Sequence, residues 1–501
     1  MKSSVLGLLL VLSTSWALIG DGFIQLPVTK VVRKKTGVSN RIPIYEEIEK
    51  VADRIEDGLS KLAAPFLVSS PQSSPGNGPS SSYPASASAS PQAKAISVGG
   101  SPSDSSSSSD SNAQSSASNS GGTGAFFLEL VNEEVLYYAT LAVGSPAQEI
   151  EVMVDTGSSD LWFVAANNPQ CKANGGSLDC DKHGTYNKSK SSSASATDNS
   201  FSINYFDGSK AEGKYYQDSL EFASGFALDN ATFAIVENTT STIGVFGVGY
   251  EELEATSNKY TNVPLLMKNQ GLIARAAYSL YLDSKDAQSG YILFGGIDHA
   301  KFTGNLVEIS VVPSNGKYVY LQIPLSHVAA SINNYTDAYP TGLSNGTNTP
   351  RVGAVIYNGT DSFNGGVDLT NEPALLDSGT TYSYLAQSQV ESIVGLFGNV
   401  TYNQYLQAYD IPCWLRNSGN YLQFNFNQQK DIQVPISEFI VESGKNGAGV
   451  PQCVFGILPG SMTILGGNFM RSVYAVFDLE ANGISIAQAA YNNEHQVTLI
   501  E

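Results

Sequence analysis

Two short stretches share one pattern and predict the fold, Val154-Asp155-Thr156-Gly157-Ser158 and Leu376-Asp377-Ser378-Gly379-Thr380. In each, an aspartate follows apolar residues and precedes a small hydroxyl residue, a glycine and a second hydroxyl residue. This order predicts a buried strand that ends in a tight turn and presents a carboxylate there. Positions 155 and 377 are 222 residues apart, which is the size of one lobe of a two-lobed protein. We therefore expect each lobe to supply half of one site, with Asp155 and Asp377 as its acidic pair.

The residues that follow each aspartate have distinct expected roles. A glycine has no Cβ, so the two turns can approach each other closely. The hydroxyl residue directly after the aspartate can form hydrogen bonds with the opposite turn, and the second hydroxyl residue can donate to the carboxylate. These supporting residues are Thr156, Gly157, Ser158, Ser378, Gly379 and Thr380.

Residues 125–501 have the pattern of an all-β body. A body of roughly 375 residues exceeds one hydrophobic core, so we predict an N-terminal lobe at 125–310 and a C-terminal lobe at 311–501. The best helical window covers residues 387–396. Alternating apolar runs rich in Tyr, Phe and Val predict strands at residues 136–143, 150–154 and 201–205.

Further motifs extend this pattern over residues 125–490, and with them the chain resembles a pepsin-type aspartic protease, nearest to the secreted fungal candidapepsins and yapsins. The resemblance implies a bilobal all-β fold with the active site between the lobes. It also implies an aspartic endopeptidase, made as a zymogen, that acts on protein or peptide substrates at acidic pH. The motifs are Asp160-Leu161-Trp162, residues 201–209 (Phe-Ser-Ile-Asn-Tyr-Phe-Asp-Gly-Ser), Phe246-Gly247-Val248-Gly249, Gly295-Gly296-Ile297-Asp298 and Ile464-Leu465-Gly466-Gly467.

The second of these motifs resembles the flap, the hairpin that closes over substrate in this family. The resemblance assigns Tyr205, Asp207 and Gly208 to substrate binding, with Tyr205 as the flap tyrosine. In fungal relatives an acidic residue at the flap tip is associated with cutting after Lys or Arg. The alternative for Asp207 is a solvated turn residue.

Two positions depart from the family pattern. Phe206 stands where the family usually has glycine after the flap tyrosine, and Gly467 stands where it commonly has aspartate. Phe206 is expected to stiffen the flap or narrow the cleft, and neither change touches the carboxylates. Tyr205 and Trp162 have a second interpretation as ordinary core aromatics.

The mechanism expected for Asp155 and Asp377 follows from their closeness. Two adjacent carboxylates cannot both ionise, so they share one proton. One then acts as a general base on a water molecule, while the other acts as a general acid on the scissile carbonyl oxygen. This chemistry needs neither a metal nor another cofactor. The alternative is that the two motifs are unrelated surface turns, because a single Asp-Thr-Gly triplet arises by chance.

The region before the body divides into three predicted parts. Lys2, a short apolar run after it and Ser15-Trp16-Ala17 predict a signal peptide over residues 1–17, since the run is too short to span a bilayer. Residues 18–68 are predicted to be a pro-segment with an amphipathic helix. Residues 69–124 are rich in Ser, Ala, Pro and Gly, which predicts a disordered linker.

The net charge of −19 is distributed unevenly. Residues 1–124 carry ten Lys or Arg and nine Asp or Glu, whereas residues 125–501 carry 17 and 37. The body alone therefore has a balance of −20, which disfavours binding to nucleic acid and to anionic membranes. Solubility explains such a charge, and so does adaptation to an acidic medium in which many carboxylates are neutral.

The four cysteines form an even set, as expected for disulfide bonds in an oxidising compartment. Their spacing predicts one short and one longer loop, closed as Cys171–Cys180 and Cys413–Cys453, which is also the pairing of the fungal relatives. Zinc is the alternative, but the chain has no Cys-x-x-Cys spacing, and His183 is the single histidine nearby. We predict no metal site.

Other features predict a secreted, monomeric glycoprotein without a membrane span. Residues 496–501 are too short and too charged for a lipid-anchor signal, which favours a secreted or periplasmic protein over one anchored in a cell wall. Seven N-x-S/T tripeptides begin at Asn187, Asn230, Asn238, Asn334, Asn345, Asn358 and Asn399.

Two alternatives to a general endopeptidase stay open on sequence grounds. One is a processing protease restricted to basic sites, as yapsins are. The other is a non-catalytic binding protein on the same fold, or a cell-wall glycoprotein that carries the Ser-rich tract. Loss of either aspartate would favour binding, yet Asp155 and Asp377 are both present with their hydroxyl residues.

Overall fold

The protein is described here by a computed structural model. The predicted pro-segment helix lies outside the described residues, as does nearly all of the predicted signal peptide and Ser-rich linker, and these three assignments stay predictions. In the part of the chain that is described, no helix has the length and apolar character needed to cross a bilayer. The described residues are 15–19, 22–26, 124–132, 136–205, 208–222, 226–331, 366–397, 400–417, 419–446 and 449–501.

The described chain is built mainly of strands, as the sequence predicts for an all-β fold. Near the N-terminus, β1 (Ser15–Ile19) and β2 (Gly22–Leu26) form an antiparallel pair. The helices are α1 (Val263–Asn269), α2 (Gln387–Gly395) and α3 (Gly467–Met470). The strands of the body are β3 (Phe126–Asn132), β4 (Tyr137–Val143), β5 (Gln148–Asp155), β6 (Leu161–Val164), β7 (Ser195–Asn204), β8 (Lys210–Phe222), β9 (Ala227–Thr239), β10 (Gly244–Gly247), β11 (Ala277–Tyr281), β12 (Ser289–Phe294), β13 (Gly296–Asp298), β14 (Phe302–Ser310), β15 (Gln322–Ser331), β16 (Gly366–Leu376), β17 (Ser383–Leu385), β18 (Thr401–Asn403), β19 (Ala408–Ile411), β20 (Tyr421–Phe426), β21 (Lys430–Pro435), β22 (Ile440–Lys445), β23 (Pro451–Phe455), β24 (Ile457–Pro459), β25 (Thr463–Leu465), β26 (Val473–Asp478), β27 (Gly483–Ala489) and β28 (Val497–Leu499).

Three sheets form most of the body. The largest has 13 strands in the order β14-β27-β26-β11-β12-β3-β4-β5-β10-β6-β9-β8-β7. A second sheet has seven strands in the order β21-β20-β15-β16-β25-β17-β24, and a third has four in the order β18-β19-β23-β22. Strands β26 and β27 come from the end of the chain and pair with β11 and β14, so the largest sheet joins the end of the chain to strands of the predicted N-terminal lobe.

The alternating patterns locate the predicted strands well. The run at 136–143 forms β4, the run at 150–154 lies within β5, and the run at 201–205 forms the end of β7. The predicted helix at 387–396 is α2, which ends one residue earlier, at Gly395. Burial of Val390, Ile393 and Val394 on one face explains this agreement, because these positions follow the helical period.

Two matching three-stranded units lie at the centre of the body. In the first, β10 lies between β5 and β6, parallel to β5 and antiparallel to β6. In the second, β25 lies between β16 and β17 with the same directions. All residues of β6, β10, β17 and β25 are buried, so these short apolar strands anchor the turns that follow β5 and β16.

Two disulfides close one short and one longer loop. Cys171 is joined to Cys180 with a Cα–Cα distance of 5.5 Å, and Cys413 is joined to Cys453 at 5.2 Å. Each bond limits the conformations of the unfolded chain and so favours the folded state. The longer loop contains β20, β21 and β22.

Candidate active site

Asp155 ends β5 at the point where the strand leaves the core, and 5% of its surface is exposed. Its Oδ1 accepts a hydrogen bond from the Gly157 N–H at 2.8 Å. Its Oδ2 accepts one from the Ser158 hydroxyl at 2.5 Å. Because both donors belong to the turn directly after the strand, the carboxylate has one fixed orientation.

Asp377 directly follows β16 and has the same arrangement, with 7% of its surface exposed. The Gly379 N–H donates to its Oδ1 at 2.8 Å, and the Thr380 hydroxyl donates to its Oδ2 at 2.5 Å. The sequence-predicted donors Ser158 and Thr380 therefore occupy equivalent positions in the two turns.

Reciprocal hydrogen bonds join the two turns. The Thr156 hydroxyl donates to the Leu376 carbonyl at 2.6 Å and accepts from the Ser378 N–H at 3.0 Å. In return, the Ser378 hydroxyl donates to the Val154 carbonyl at 2.8 Å and accepts from the Thr156 N–H at 3.1 Å. All four bonds are buried, so they hold the turns in one relative position.

Glycine is required in both turns because the opposite carboxylate is too close for a side chain. A Cβ on Gly157 would lie 2.7 Å from Asp377 Cγ, and a Cβ on Gly379 would lie 2.6 Å from Asp155 Cγ. Carbon atoms in non-bonded contact lie about 3.5–4.0 Å apart, so neither position has room for one. The glycines thus allow Asp155 and Asp377 to face each other directly.

Burial and the neighbouring charge of Asp377 both raise the pKa of Asp155 above its ordinary value. Hydrogen bonds from Ser158 and Gly157 lower it in part, without reversing the shift. A second negative charge in this buried space would be repelled by the first, so the two carboxyl groups retain a shared proton. The site is therefore suited to a reaction in which one carboxyl group accepts a proton and the other donates one.

Tyr205 and Gly208 lie in the turn between β7 and β8. The Tyr205 N–H donates to the Ser209 carbonyl at 2.9 Å, and the Gly208 N–H donates to the Tyr205 carbonyl at 2.9 Å. Gly208 has a φ of +83°, a backbone conformation that favours glycine. Phe206 and Asp207 lie outside the described residues, so the predicted contact of Asp207 with substrate stays a prediction.

A hydrogen bond connects this hairpin to the strand after the Asp155 turn. Trp162 in β6 donates its Nε1–H to the Tyr205 hydroxyl at 2.6 Å. Trp162 is also buried in a cluster with Phe201 and Tyr215, so its interpretation as a core aromatic is compatible with a role in placing Tyr205. The residues predicted for the flap are thereby tied to the unit that carries Asp155.

Sequence reasoning missed a buried polar group beside this connection. Asp160 is 1% exposed and accepts hydrogen bonds from the hydroxyls of Tyr215 at 2.7 Å and Tyr260 at 2.9 Å. A signal was available, because an acidic residue directly before the apolar strand β6 must be either solvated or paired. Its partners could not be inferred, since they lie 55 and 100 residues further along the chain.

Gly467, which departs from the family pattern, supports the second turn through its backbone. It is the first residue of α3 and donates its N–H to the Thr380 carbonyl at 2.7 Å. Arg471, one turn later, is 5% exposed and pairs with Glu438 at 2.6 Å. The buried guanidinium therefore takes its counter-charge from Glu438 and not from position 467.

The reactive groups of the site are two oriented carboxyl groups, those of Asp155 and Asp377. Within the described ranges, no group of three or more His, Cys, Asp or Glu residues is arranged to hold a metal ion. Two facing carboxyl groups with one shared proton can bind a water molecule and move protons to and from a substrate bound above them. The hydroxyl and amide donors keep the carboxyl groups oriented during such a transfer.

Comparison with known proteins agrees with this geometry. The family model described as "Eukaryotic aspartyl protease" matches residues 136–489. A secreted aspartic protease 7 from Candida albicans is 65% identical over 379 residues, which cover 76% of this chain and 64% of that protein. A secreted aspartic protease 3 from the same organism is 36% identical over 378 residues, which cover 74% of this chain and 84% of that protein. The match thus spans less than two thirds of the length of the first relative.

The fold also resembles that of a solved structure. The crystal structure of the aspartic proteinase from Irpex lacteus superimposes with a TM-score of 0.56 over 74% of this chain and 98% of that one, at 18% identity. At this identity the likeness bears on the fold alone. The family model and the Candida relatives carry the assignment, and on their basis the chain belongs to the eukaryotic aspartyl protease family.

Proposed function

We propose that this protein is a secreted aspartic endopeptidase that hydrolyses peptide bonds at acidic pH. The observation that carries the proposal is the pair of matched turns that bring Asp155 and Asp377 face to face. Membership of the aspartyl protease family and the names of the secreted Candida relatives support both the activity and the location outside the cell. The substrates would be proteins or peptides.

In the proposed reaction, a water molecule lies between the two carboxyl groups. The ionised carboxylate takes a proton from this water as its oxygen attacks the scissile carbonyl carbon, and the protonated carboxyl group donates to the carbonyl oxygen. The tetrahedral intermediate then breaks down with proton transfer to the leaving amine. Ser158 and Thr380 keep the carboxyl groups in place, because each hydroxyl donates to an Oδ2 throughout the cycle.

A direct test is to incubate the acid-treated protein with a diverse peptide mixture and to map the cuts by mass spectrometry. We expect internal cuts at acidic pH, inhibition by a statine-type inhibitor that imitates the tetrahedral intermediate, and no inhibition by EDTA. Loss of activity in EDTA would indicate a metal-dependent reaction instead. The same cleavage map would show whether cuts follow Lys and Arg, as the acidic flap residue Asp207 predicts, or follow Leu and Phe.

We also propose that residues 18–124 form a removable pro-segment. The basic stretch Arg33-Lys34-Lys35 would lie over the cleft of the body, whose acidic residues exceed its basic ones by 20. As the pH falls, carboxylates of the cleft gain protons, the attraction weakens and the segment can leave. The relevant pH window runs from neutrality down to about pH 4, near the ordinary pKa of carboxyl groups.

Activation should therefore appear as a pH-dependent loss of mass. We expect the full-length chain to be inactive at neutral pH and to shorten as activity appears on acidification, followed by mass spectrometry and peptide hydrolysis in the same samples. The Asp377→Asn chain is the control and should stay at full length if the cut is made by the protein itself. Full activity at neutral pH without any shortening would refute the zymogen.

A further inference from the structure

A second pair of buried acidic side chains lies behind the predicted flap and takes no part in the proposed reaction. Asp160 and Glu254 are 1% and 5% exposed, respectively. Acidic side chains are rarely buried to this degree without a cation. Across the described part of the chain, no ion pair is formed by either carboxyl group.

Asp160 joins three segments that are distant in sequence. Its Oδ1 accepts from the hydroxyls of Tyr215 and Tyr260, and its Oδ2 accepts from the Ala255 N–H at 2.8 Å. Tyr215 lies in β8, the second strand of the flap hairpin, whereas Ala255 and Tyr260 lie in the loop before α1. The Asp160 carboxylate thus connects the turn after Asp155, the base of the flap and this loop.

Glu254 lies in the same loop, directly before Ala255. Its Oε2 accepts from the Tyr260 N–H at 2.9 Å, but its buried Oε1 has no hydrogen-bond partner. Lys259 is close, yet its Nζ donates to the carbonyls of Glu254 and Glu252 and not to the Glu254 carboxyl group. An ionised carboxylate with one unpaired oxygen is more costly in this position than a protonated carboxyl group.

The charges around Glu254 favour its protonated form. Burial is the main cause that raises the pKa of Glu254 to about 8, and the negative charges of Asp160 and Glu251 add to it. The hydrogen bond from the Tyr260 N–H and the positive charge of Lys259 lower this pKa but do not cancel the shift. Burial also raises the pKa of Asp160. The pKa values of Tyr215 and Tyr260 are raised too, mainly by burial, so both hydroxyls stay protonated as donors to Asp160.

We propose that Glu254 is a pH-sensitive positioning residue, which holds the base of the flap in place as a neutral acid and releases it when it ionises. Ionisation places a second negative charge beside Asp160, on the loop that supplies two of its three donors. The expected consequence is a looser contact between Asp160, Tyr260 and the base of the flap. The pH effect itself does not depend on the proposed function. Only its biological role, the regulation of the proposed protease site, rests on that function.

The sign of the effect on stability follows from the pKa. Between its ordinary value of 4.5 and the raised value of about 8, the folded protein binds the Glu254 proton more tightly than the unfolded chain does. The free energy of unfolding therefore falls as the pH rises through this window. Below it both states hold the proton, and above it both have lost it, so the loss is then complete.

The first test compares the melting temperatures of the wild-type chain and the Glu254→Gln variant from pH 5 to pH 8. Glutamine has nearly the shape of the protonated carboxyl group and cannot ionise. We expect similar values at pH 5 and, by pH 8, a fall that is at least about 3 °C larger for the wild type. Glu252→Gln is the control, because Glu252 is paired with Lys317 at the surface and should leave the pH profile unchanged.

A second measurement needs no substitution and covers the case in which Glu254→Gln does not fold. In the wild-type chain, hydrogen exchange corrected for its intrinsic pH dependence should show loss of protection at the amide of Ala255, which donates to Asp160, between pH 5 and pH 8. Strand β26 should stay protected over the same range. Parallel melting profiles for wild type and variant, or unchanged protection in this loop, would overturn the inference.

Neither measurement uses peptide hydrolysis. A protein that cuts no peptide but shows both pH effects would refute the proposed function and leave the role of Glu254 intact. An active protease without these pH effects would support the proposed function and refute the role of Glu254.

Discussion

Replacing Asp155 or Asp377 by asparagine is expected to lower peptide hydrolysis by at least about 10³-fold, the scale of a lost general acid or base. Either change removes the shared proton and leaves an amide that can neither accept a proton from water nor donate one to the carbonyl oxygen. The measurement is the hydrolysis rate of a quenched fluorescent peptide at acidic pH, with the melting temperature of each variant determined in parallel.

The fold should survive both substitutions. Asparagine keeps an oxygen for the backbone N–H of Gly157 or Gly379. In Asp155→Asn it also removes the buried ionisable group whose pKa is raised by burial and by the charge of Asp377. Because that pKa is raised in the folded state, the carboxyl group costs stability as the pH rises, so the Asp155→Asn variant should not melt earlier at neutral pH. Asp229→Asn, an exposed position in β9, is the matched control and should retain full activity. Substantial hydrolysis by either folded active-site variant would remove the basis of the proposed mechanism.

Replacing Gly379 by alanine is expected to reduce kcat/KM by at least about 100-fold without altering any group that reacts. The new Cβ would meet Asp155 Cγ at 2.6 Å, so the carboxyl group of Asp155 must move. A displacement of about 1 Å in a catalytic group costs a factor on this scale. The kinetic measurement is the same peptide assay, and the melting temperature is expected to fall because the Thr156–Ser378 hydrogen bonds are strained as well.

Gly395→Ala provides the control for this substitution. Gly395 is the last residue of α2, and a Cβ there would meet no atom within 4 Å. Alanine also favours the helix over glycine, so activity should be unchanged and the melting temperature equal or slightly higher. If Gly379→Ala retained wild-type kinetics, the two carboxyl groups would have to lie further apart than the structure places them.

The sequence was sufficient for those parts of the protein that local pattern determines. Strand β4 and helix α2 agree with their predicted ranges to within one residue, because alternation and the 3.6-residue period record which face is buried. The two aspartates were identified for a similar reason, since the same five-residue pattern occurs twice and each copy carries its own strand, glycine and hydroxyl donors. Because the pattern occurs twice, the sequence also indicated that the two turns together form one site.

Contacts between groups that are distant in sequence became visible in the three-dimensional structure only. The carbonyl of Leu376 as the acceptor for Thr156, and the tyrosines at 215 and 260 as donors to Asp160, depend on how separate strands cross, and no local pattern encodes that crossing. Glu254 is the clearest case. In the sequence it is one of the 37 acidic residues after position 124, and a charged residue in a loop is normally solvated. In the structure it is buried and accepts a hydrogen bond from the backbone N–H of Tyr260, six residues away. Its pKa is set by the dielectric and the charges that packing assembles around the group.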